Sequence, residues 1–465
     1  MRLFGSKMWA SAVFSLLLIF VSSITIPAQT GDDCRCVPDE ILIDLSAGNL
    51  GQLGAVAAQY KLVPTPISQV GSPPTYRMRI DRAQTAQTPS QIIAAMQGDN
   101  RILQKEANRN VYPGENTGLD WTLGQSWAIG QSWAIGGSSK GYLRQWFPMQ
   151  VRLKEAQAIS TGQGVTIAVL DTGIDLNHPA FAGRLVPGYD FVANDADPSE
   201  EGVLRQNPIY GHGTHVAGII ALTAPGARIM PIRVLDQNGE GNLWRIKDAM
   251  IWAAQHGATV INMSFGYPSD IAPQSNTFLQ DLFNGCDDAV VPGEQLFPEF
   301  SDNRLLIVAG AGNGGQIGNG ARRVYPAAER GETDDNLLSV GSNTRYDRLA
   351  SFSTMANVID RRLDRWVRVV APGEGIVSAL PGGRYGLWSG TSMSAPVVSG
   401  IAALVKSANP NLPLTGLVER LEETGVEWKC PLPSRNIFME TARIDALCAI
   451  TNNTACLTPR TTCPE

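Results

Sequence analysis

From residue 146 onward the chain alternates between short apolar runs and longer amphipathic stretches. Val165–Leu170, Arg228–Val234, Thr259–Met263, Leu305–Ala309 and Leu337–Val340 are rich in aliphatic and β-branched residues and too short for helices. Leu243–Gln255 and Ala395–Ser407 carry helical periodicity. Strands that are apolar along their whole length, separated by helices, predict a parallel α/β sheet with helices on both faces. In such sheets ligands gather at the carboxyl ends of the strands.

Upstream the period changes. Ile41–Leu45, Tyr76–Ile80 and Arg101–Val111 read as strands; Asn49–Tyr60 and Pro89–Met96 read as helices, the second with Thr88 at its N-cap. This order predicts a small α+β unit without a catalytic constellation. Residues 113–145 read as a linker rich in Gly, Ser, Gln and Trp. In it Gly124–Ile129 is repeated at once as Gly130–Ile135, a copy too short for a solenoid and suited to an insertion in exposed chain. At the start, Arg2 and Lys7 precede the apolar run Met8–Phe20, followed by Val21, Ser22 and Ser23. That is the anatomy of a secretory signal. An uncleaved anchor over Met8–Ile26 is the alternative, and no later stretch is a candidate span. The expected division is signal 1–29, N-terminal unit 30–112, linker 113–145, main domain 146–450 and a Cys-containing tail 451–465.

Composition narrows the partners. The 465 residues are 43% hydrophobic and only 17% charged, enough for a large core and against a charge-driven disordered chain. A net charge of −6 removes the basic footprint of a nucleic-acid partner. Export makes disulfides possible, and Cys430, Cys448, Cys456 and Cys463 crowd the C-terminal end, where a staple is plausible. The remaining cysteines are Cys34, Cys36 and Cys286, an odd total of seven. None of the four histidines lies near the cysteines, which disfavours zinc.

The chemistry sits in three segments. In Val169-Leu170-Asp171-Thr172-Gly173-Ile174-Asp175 an acid follows directly on a buried strand. In Gly211-His212-Gly213-Thr214-His215-Val216-Ala217-Gly218 small residues crowd a histidine that opens a helix. In Ser389-Gly390-Thr391-Ser392-Met393-Ser394-Ala395-Pro396 a serine opens a helix, with Pro396 expected in its first turn, where a missing N–H costs little. Each segment has a plainer reading. Asp171 alone is a turn residue. His212 and His215 at i, i+3 form a metal pair only with a local carboxylate, so His215 reads as structural. Asp175 reads as a cap, His178 and His256 as loop and helix-end residues, and Ser394 as a secondary nucleophile candidate. Gly310–Gly315 spells G-x-G-x-x-G without the helix that must follow. Gly137–Gly141 spells G-x-S-x-G inside the linker, not between strand and helix, which excludes a lipase or esterase elbow.

Taken together, the three segments resemble the subtilisin-like serine proteases, the subtilases of peptidase family S8, in which Asp, His and Ser occur in this chain order. Ile261–Gly266 resembles that family's substrate-binding strand, Val308–Gly314 its oxyanion-asparagine loop, Arg348–Thr354 and Val370–Leu380 its approach to the serine, and Ala442–Ile450 its closing helix. The resemblance covers residues 146–450. It implies Asp171, His212 and Ser392 as catalytic residues, Asn313 in the oxyanion hole, and Ser264, Phe265, Gly266 and Leu243 beside the substrate. It implies a fold with a subtilisin-like parallel sheet, preceded by a ferredoxin-like propeptide over the N-terminal unit. The expected function is a secreted, extracellular or periplasmic, serine endopeptidase. It acts on protein or peptide substrates, is inhibited by its own propeptide, and has no stable membrane span after signal cleavage. The alternative is a catalytically idle subtilase-fold binding or scaffold protein. Because Gly314 follows Asn313, a neutral or apolar side chain is expected on the residue before the scissile bond. No cofactor is expected. Nor is a metal: the calcium loop that subtilases often insert after the histidine helix is missing, since Gly218–Leu222 runs through Thr223–Gly226 straight to the next strand. Ala180 stands where its acidic partner belongs.

Overall fold

The computed structural model describes residues 36–113, 138–204, 206–269, 305–315, 323–328, 336–355, 366–431 and 438–453. The apolar run of residues 8–26, the repeated hexapeptides, Cys34, Cys286 and the tail from residue 454 lie outside them. In the N-terminal unit β1 (Cys36–Leu45), α1 (Leu53–Gln59), β2 (Ser68–Val70), β3 (Thr75–Arg79), α2 (Pro89–Ala95) and β4 (Ile102–Pro113) follow in βαββαβ order. The sheet order β4-β1-β3-β2, antiparallel throughout, is the ferredoxin-like arrangement expected there. Thr88 caps α2 through a reciprocal pair of bonds with Gln91, the capping box. The first helix is shorter than its sequence suggests: Ala47–Gln52 is 3₁₀, and Gly48, Gly51 and Gly54 weaken the α-helix there. Strand β2, three residues long, leaves too short a pattern to read.

Strand β1 has two faces. Ile41, Ile43 and Leu45 point to α1 and α2 and join Val56, Ala57 and Ile92 in a separate small core. Glu40, Leu42 and Asp44, on the opposite face by the two-residue period, point at the main domain. Leu42 enters that domain's core, Asp44 lies 3.5 Å from the buried Lys247 ammonium, and Glu40 accepts a bond from Asn108.

The main domain opens with three short helices, α3 (Ser139–Leu143), α4 (Phe147–Gln150) and α5 (Leu153–Gln157). Residues 138–145, read from sequence as the end of the linker, are anchored to the domain through Tyr142 and Gln145. The buried Tyr142 hydroxyl donates to the Gly218 carbonyl at 2.6 Å, and Gln145 bonds both backbone groups of Val377. The elements that follow are β5 (Thr166–Asp171), β6 (Tyr189–Asp190), α6 (His212–Thr223), β7 (Arg228–Arg233), β8 (Gly241–Asn242), α7 (Leu243–Gln255), β9 (Val260–Met263), β10 (Phe265–Ser269), β11 (Leu306–Gly310), β12 (Arg323–Tyr325), β13 (Leu337–Asn343) and β14 (Val369–Pro372). The chain ends with β15 (Ile376–Leu380), β16 (Arg384–Trp388), α8 (Thr391–Ala408), α9 (Leu414–Glu423), β17 (Val426–Pro431), β18 (Phe438–Arg443) and α10 (Ala446–Thr451).

The larger sheet runs β17-β18-β14-β13-β11-β9-β5-β7-β6, parallel except at β17. Alternate residues of β5 serve opposite faces. Ile167 and Val169 join α6, α8, α9 and α10 on one side, and Ala168 and Leu170 join α7 on the other. This is the parallel sheet with helices on both faces that the apolar runs predict. The closing helix differs from Ala442–Ile450: strand β18 continues to Arg443, and α10 starts after Asp445, whose carboxylate caps Cys448 N–H and pairs with Arg152. Among the described residues no helix is long and apolar enough to cross a membrane.

Candidate active site

Strand β5 delivers Asp171 to the carboxyl edge of the sheet, and α6 begins with His212 beside it. The approach is possible because of glycine at two positions. Gly211 turns into the helix at φ 91°, a left-handed conformation that a Cβ disfavours. A Cβ on Gly213 would lie 2.2 Å from the Gly173 carbonyl oxygen and 3.0 Å from Asp171 Cβ. With both in place, Asp171 Oδ1 and His212 Nδ1 are 2.7 Å apart and fully buried. The carboxylate accepts, so Nδ1 carries the proton, and the tautomer leaves Nε2 as the basic nitrogen. Thr172 N–H donates to the same oxygen at 2.8 Å, and the Trp388 ring stands edge-on to the imidazole at 5.5 Å.

Ser392 is the second residue of α8. Pro396 is the sixth, not part of the first turn, and so removes the N–H that would bond the Ser392 carbonyl. Ser264 replaces it: its hydroxyl donates to Ser392 O at 2.9 Å, while Ser392 Oγ donates to Ser264 O at 3.0 Å. The exchange is extended by Asn262, which donates to Ser264 Oγ at 3.0 Å and accepts from Ser399 Oγ at 3.0 Å. Ser392 and Ser399 are seven residues apart, two turns along one face. Asn262 and Ser399 carry no motif. Their only sequence signal is a polar residue inside an apolar strand and another inside an apolar helix.

Asn313 follows β11. Its Oδ1 accepts from Thr391 N–H at 2.8 Å and from the Thr391 hydroxyl at 3.0 Å. The side chain thus satisfies one of the orphan donors at the start of α8, which leaves its N–H₂ as the donating end. Leu243 and Phe265 are buried, and Ser264 and Gly266 flank Phe265. Between the two segments runs β4. Asn110 and Val111 pair with Asn242 and Gly241, and Tyr112 and Pro113 pair with Gly266 and Phe265. The N-terminal unit therefore fills the slot between β8 and β10 with its last strand, and buried Val111 enters the core beside Leu235 and Leu243.

Other candidates separate from this group. Ser394 Oγ is tied to Ala371 O at 2.9 Å. Asp175 fastens a loop across the site, accepting from Gly382 and Asn177 N–H groups. His178 caps the 3₁₀ turn Pro179–Phe181, and His256 ends α7, stacked on Trp252. His215 is buried with Nε2 near the Ile376 and Gly386 carbonyls, at 3.2 and 3.3 Å, which fixes its proton there. Burial, helped by His212, pushes its pKa down to about 3, so the ring is neutral.

The comparisons with known proteins cover this part of the chain. The model of peptidase family S8, the subtilase family, matches residues 162–443. A thermophilic serine proteinase from Bacillus sp. (strain AK1) is 38% identical over 283 residues, 58% of this chain and 59% of that protein. Thermitase from Thermoactinomyces vulgaris is 34% identical over 301 residues, 61% of this chain and 92% of thermitase. Subtilisin NAT from Bacillus subtilis subsp. natto is 34% identical over 273 residues, 57% and 61% of the two chains. The match spans about three fifths of the first and third of these relatives.

Two stability effects follow. Ser264→Ala strips the Ser392 carbonyl of its substitute donor. A drop of about 1–3 kcal/mol is expected in urea unfolding, measured with Ser392→Ala in the background to prevent self-digestion. His215 has a folded pKa below its unfolded value of 6.5, so its contribution is present above pH 6.5 and is lost as pH falls toward about 3. His215→Gln should flatten that loss by up to a few kcal/mol, at ~1.4 kcal/mol per pKa unit, seen as the difference between the two proteins' pH–stability curves.

Proposed function

The chain belongs to the subtilase family, and from that premise we propose that it is a secreted serine endopeptidase made as a self-inhibited precursor. The observation that carries the reading is the buried Asp171–His212 bond at the carboxyl edge of the sheet, with Ser392 at the start of α8 on the same edge. Asp171 holds the imidazole so that, once the Ser392 hydroxyl turns from Ser264 O, Nε2 receives its proton as the oxygen attacks a peptide carbonyl. The resulting bond is an acyl-enzyme ester, and the same proton passes to the departing amine. Water then reverses the sequence. Asn313 N–H₂ and the Ser392 backbone N–H are the donors for the oxyanion, helped by the positive end of that helix.

Substrate enters as an added strand between β8 and β10, where main-chain bonds tolerate many sequences. Strand β4 already makes those bonds, which supports assigning the N-terminal unit as the precursor's own inhibitor. Export is supported by the oxidised state of Cys36 and Cys448, which suits a compartment outside the cytosol, and by the signal-like residues 1–29.

The intact chain is treated with a fluorophosphonate probe and with casein after maturation. Wild type is expected to label and hydrolyse; Ser392→Ala is expected to do neither and to remain full-length apart from signal removal. A wild-type protein that neither labels nor cleaves would favour the idle scaffold instead.

Val111→Asp places a charge in the core between β4 and Leu243. It should loosen the docked strand, and the unprocessed chain should gain activity by about tenfold or more, since ~1.4 kcal/mol of lost docking is one decade. Comparing probe-labelling rates of the unprocessed forms checks this.

A further inference from the structure

The loop between β6 and α6 brings a second buried carboxyl up to the Asp171–His212 pair. Glu200 Oε2 accepts from the hydroxyl of Thr214 at 2.9 Å and from Thr214 N–H at 3.2 Å, two residues into α6 from His212. The Thr214 hydroxyl in turn accepts from Asp175 N–H at 3.0 Å. Oε1 is buried, and the Thr172 hydroxyl and Gly211 N–H favour the charged form of the carboxyl. Thr172 Oγ1 accepts from Gly213 N–H at 3.0 Å. The loop backbone is fixed as well: Glu200 N–H donates to Ile174 O and Ile174 N–H donates to Pro198 O, each at 3.1 Å. One carboxyl is thus in contact with both segments that carry the pair, the turn after β5 and the first turn of α6.

Charge makes the placement unusual. The titratable groups around Glu200 are Asp171 and Asp175 from β5 and its turn, and Tyr210 and His212 at the start of α6. The adjacent Glu201 is engaged by Arg233 at 2.7 Å, and Arg384 faces Tyr210. Among the described residues no cation pairs with Glu200. Burial pushes its carboxyl up to about 7; the Thr172 and Thr214 hydroxyls oppose that rise and the Asp171 charge adds to it.

We propose that Glu200 is a positioning residue for the Asp171–His212 pair: it clamps the turn after β5 to the start of α6 through its backbone bond to Ile174 and its carboxyl bonds to Thr214, and places a second carboxyl near that of Asp171. The catalytic consequence rests on the peptidase reading; the effect on His212 does not. Protonating His212 in turn favours the charged form of Glu200, so the two titrate as a pair; that carboxylate stabilises the imidazolium, and removing it lowers the His212 pKa and moves the acid limb of kcat/KM to lower pH.

The test begins with the inert Ser392→Ala full chain, in which the His212 imidazole is titrated by NMR with and without Glu200→Gln. A fall of about half a unit or more is expected, and an unchanged pKa overturns the proposal. In the active chain Glu200→Gln should lower kcat about tenfold with KM within about twofold, and shift the acid limb downward. Unchanged kcat and pH profile would also overturn it. Glu200→Asp keeps the charge but draws it away from Thr214, so kcat should fall while the His212 pKa holds, a split that a merely structural defect does not give. This variant decides the matter if Glu200→Gln does not fold. A parent chain without hydrolytic activity would fail the peptidase reading alone, and the His212 titration would still decide the role of Glu200.

Discussion

Two helices, α6 and α8, bring their N-termini to the carboxyl edge of one parallel sheet, and the closeness of that approach constrains everything at the site. A helix start presents unsatisfied N–H groups and a positive dipole end, useful beside developing negative charge. It serves only when the backbone comes within a side chain's reach of the strand ends. At α6 this requires the bare backbone of Gly213 against the Gly173 carbonyl and Asp171. Any larger residue would push His212 away from the carboxylate that fixes its tautomer.

At α8 the same closeness raises a different problem, because the helix is buried for nearly its whole length and contains a proline. A buried carbonyl without a donor is expensive. Ser264 removes that cost for Ser392, and in doing so ties the nucleophile candidate to the strand end beside the slot that β4 fills. Asn262 and Ser399 continue the bonding into the core, so the positions of β9, β10 and α8 are set by one polar chain. The proline and the serine are best understood together, as a lost bond and its replacement.

Strand β4 extends this economy to the N-terminal unit. Its sheet would otherwise expose one face, with Leu42 apolar and Glu40 and Asp44 charged. The main domain covers that face with α7, where Lys247 meets Asp44 and Thr75, and Asn108 caps the start of the helix by accepting from Trp244 N–H. The slot between β8 and β10 has unpaired backbone groups of its own, and β4 satisfies them. Each unit thus hides what the other leaves open.

The sequence by itself determined the parts governed by local rules. Apolar runs separated by helices declared the parallel sheet, because a strand buried on both faces cannot alternate. The acid after a strand and the histidine and serine opening helices placed Asp171, His212 and Ser392 at one edge, because parallel strands all end there. Other features depended on contacts between distant segments. Pro396 was misplaced because the start of α8 is set by Asn313 reaching across from β11, which no local signal near residue 391 reports. The packing of residues 138–145 needed the Gly218 and Val377 carbonyls as partners. Nothing in the sequence sets Glu200 apart from its neighbours Asp195, Asp197 and Glu201. Only the folded chain, by burying its carboxyl between Thr172 and Thr214, decided that it stands beside the Asp171–His212 pair and not in solvent.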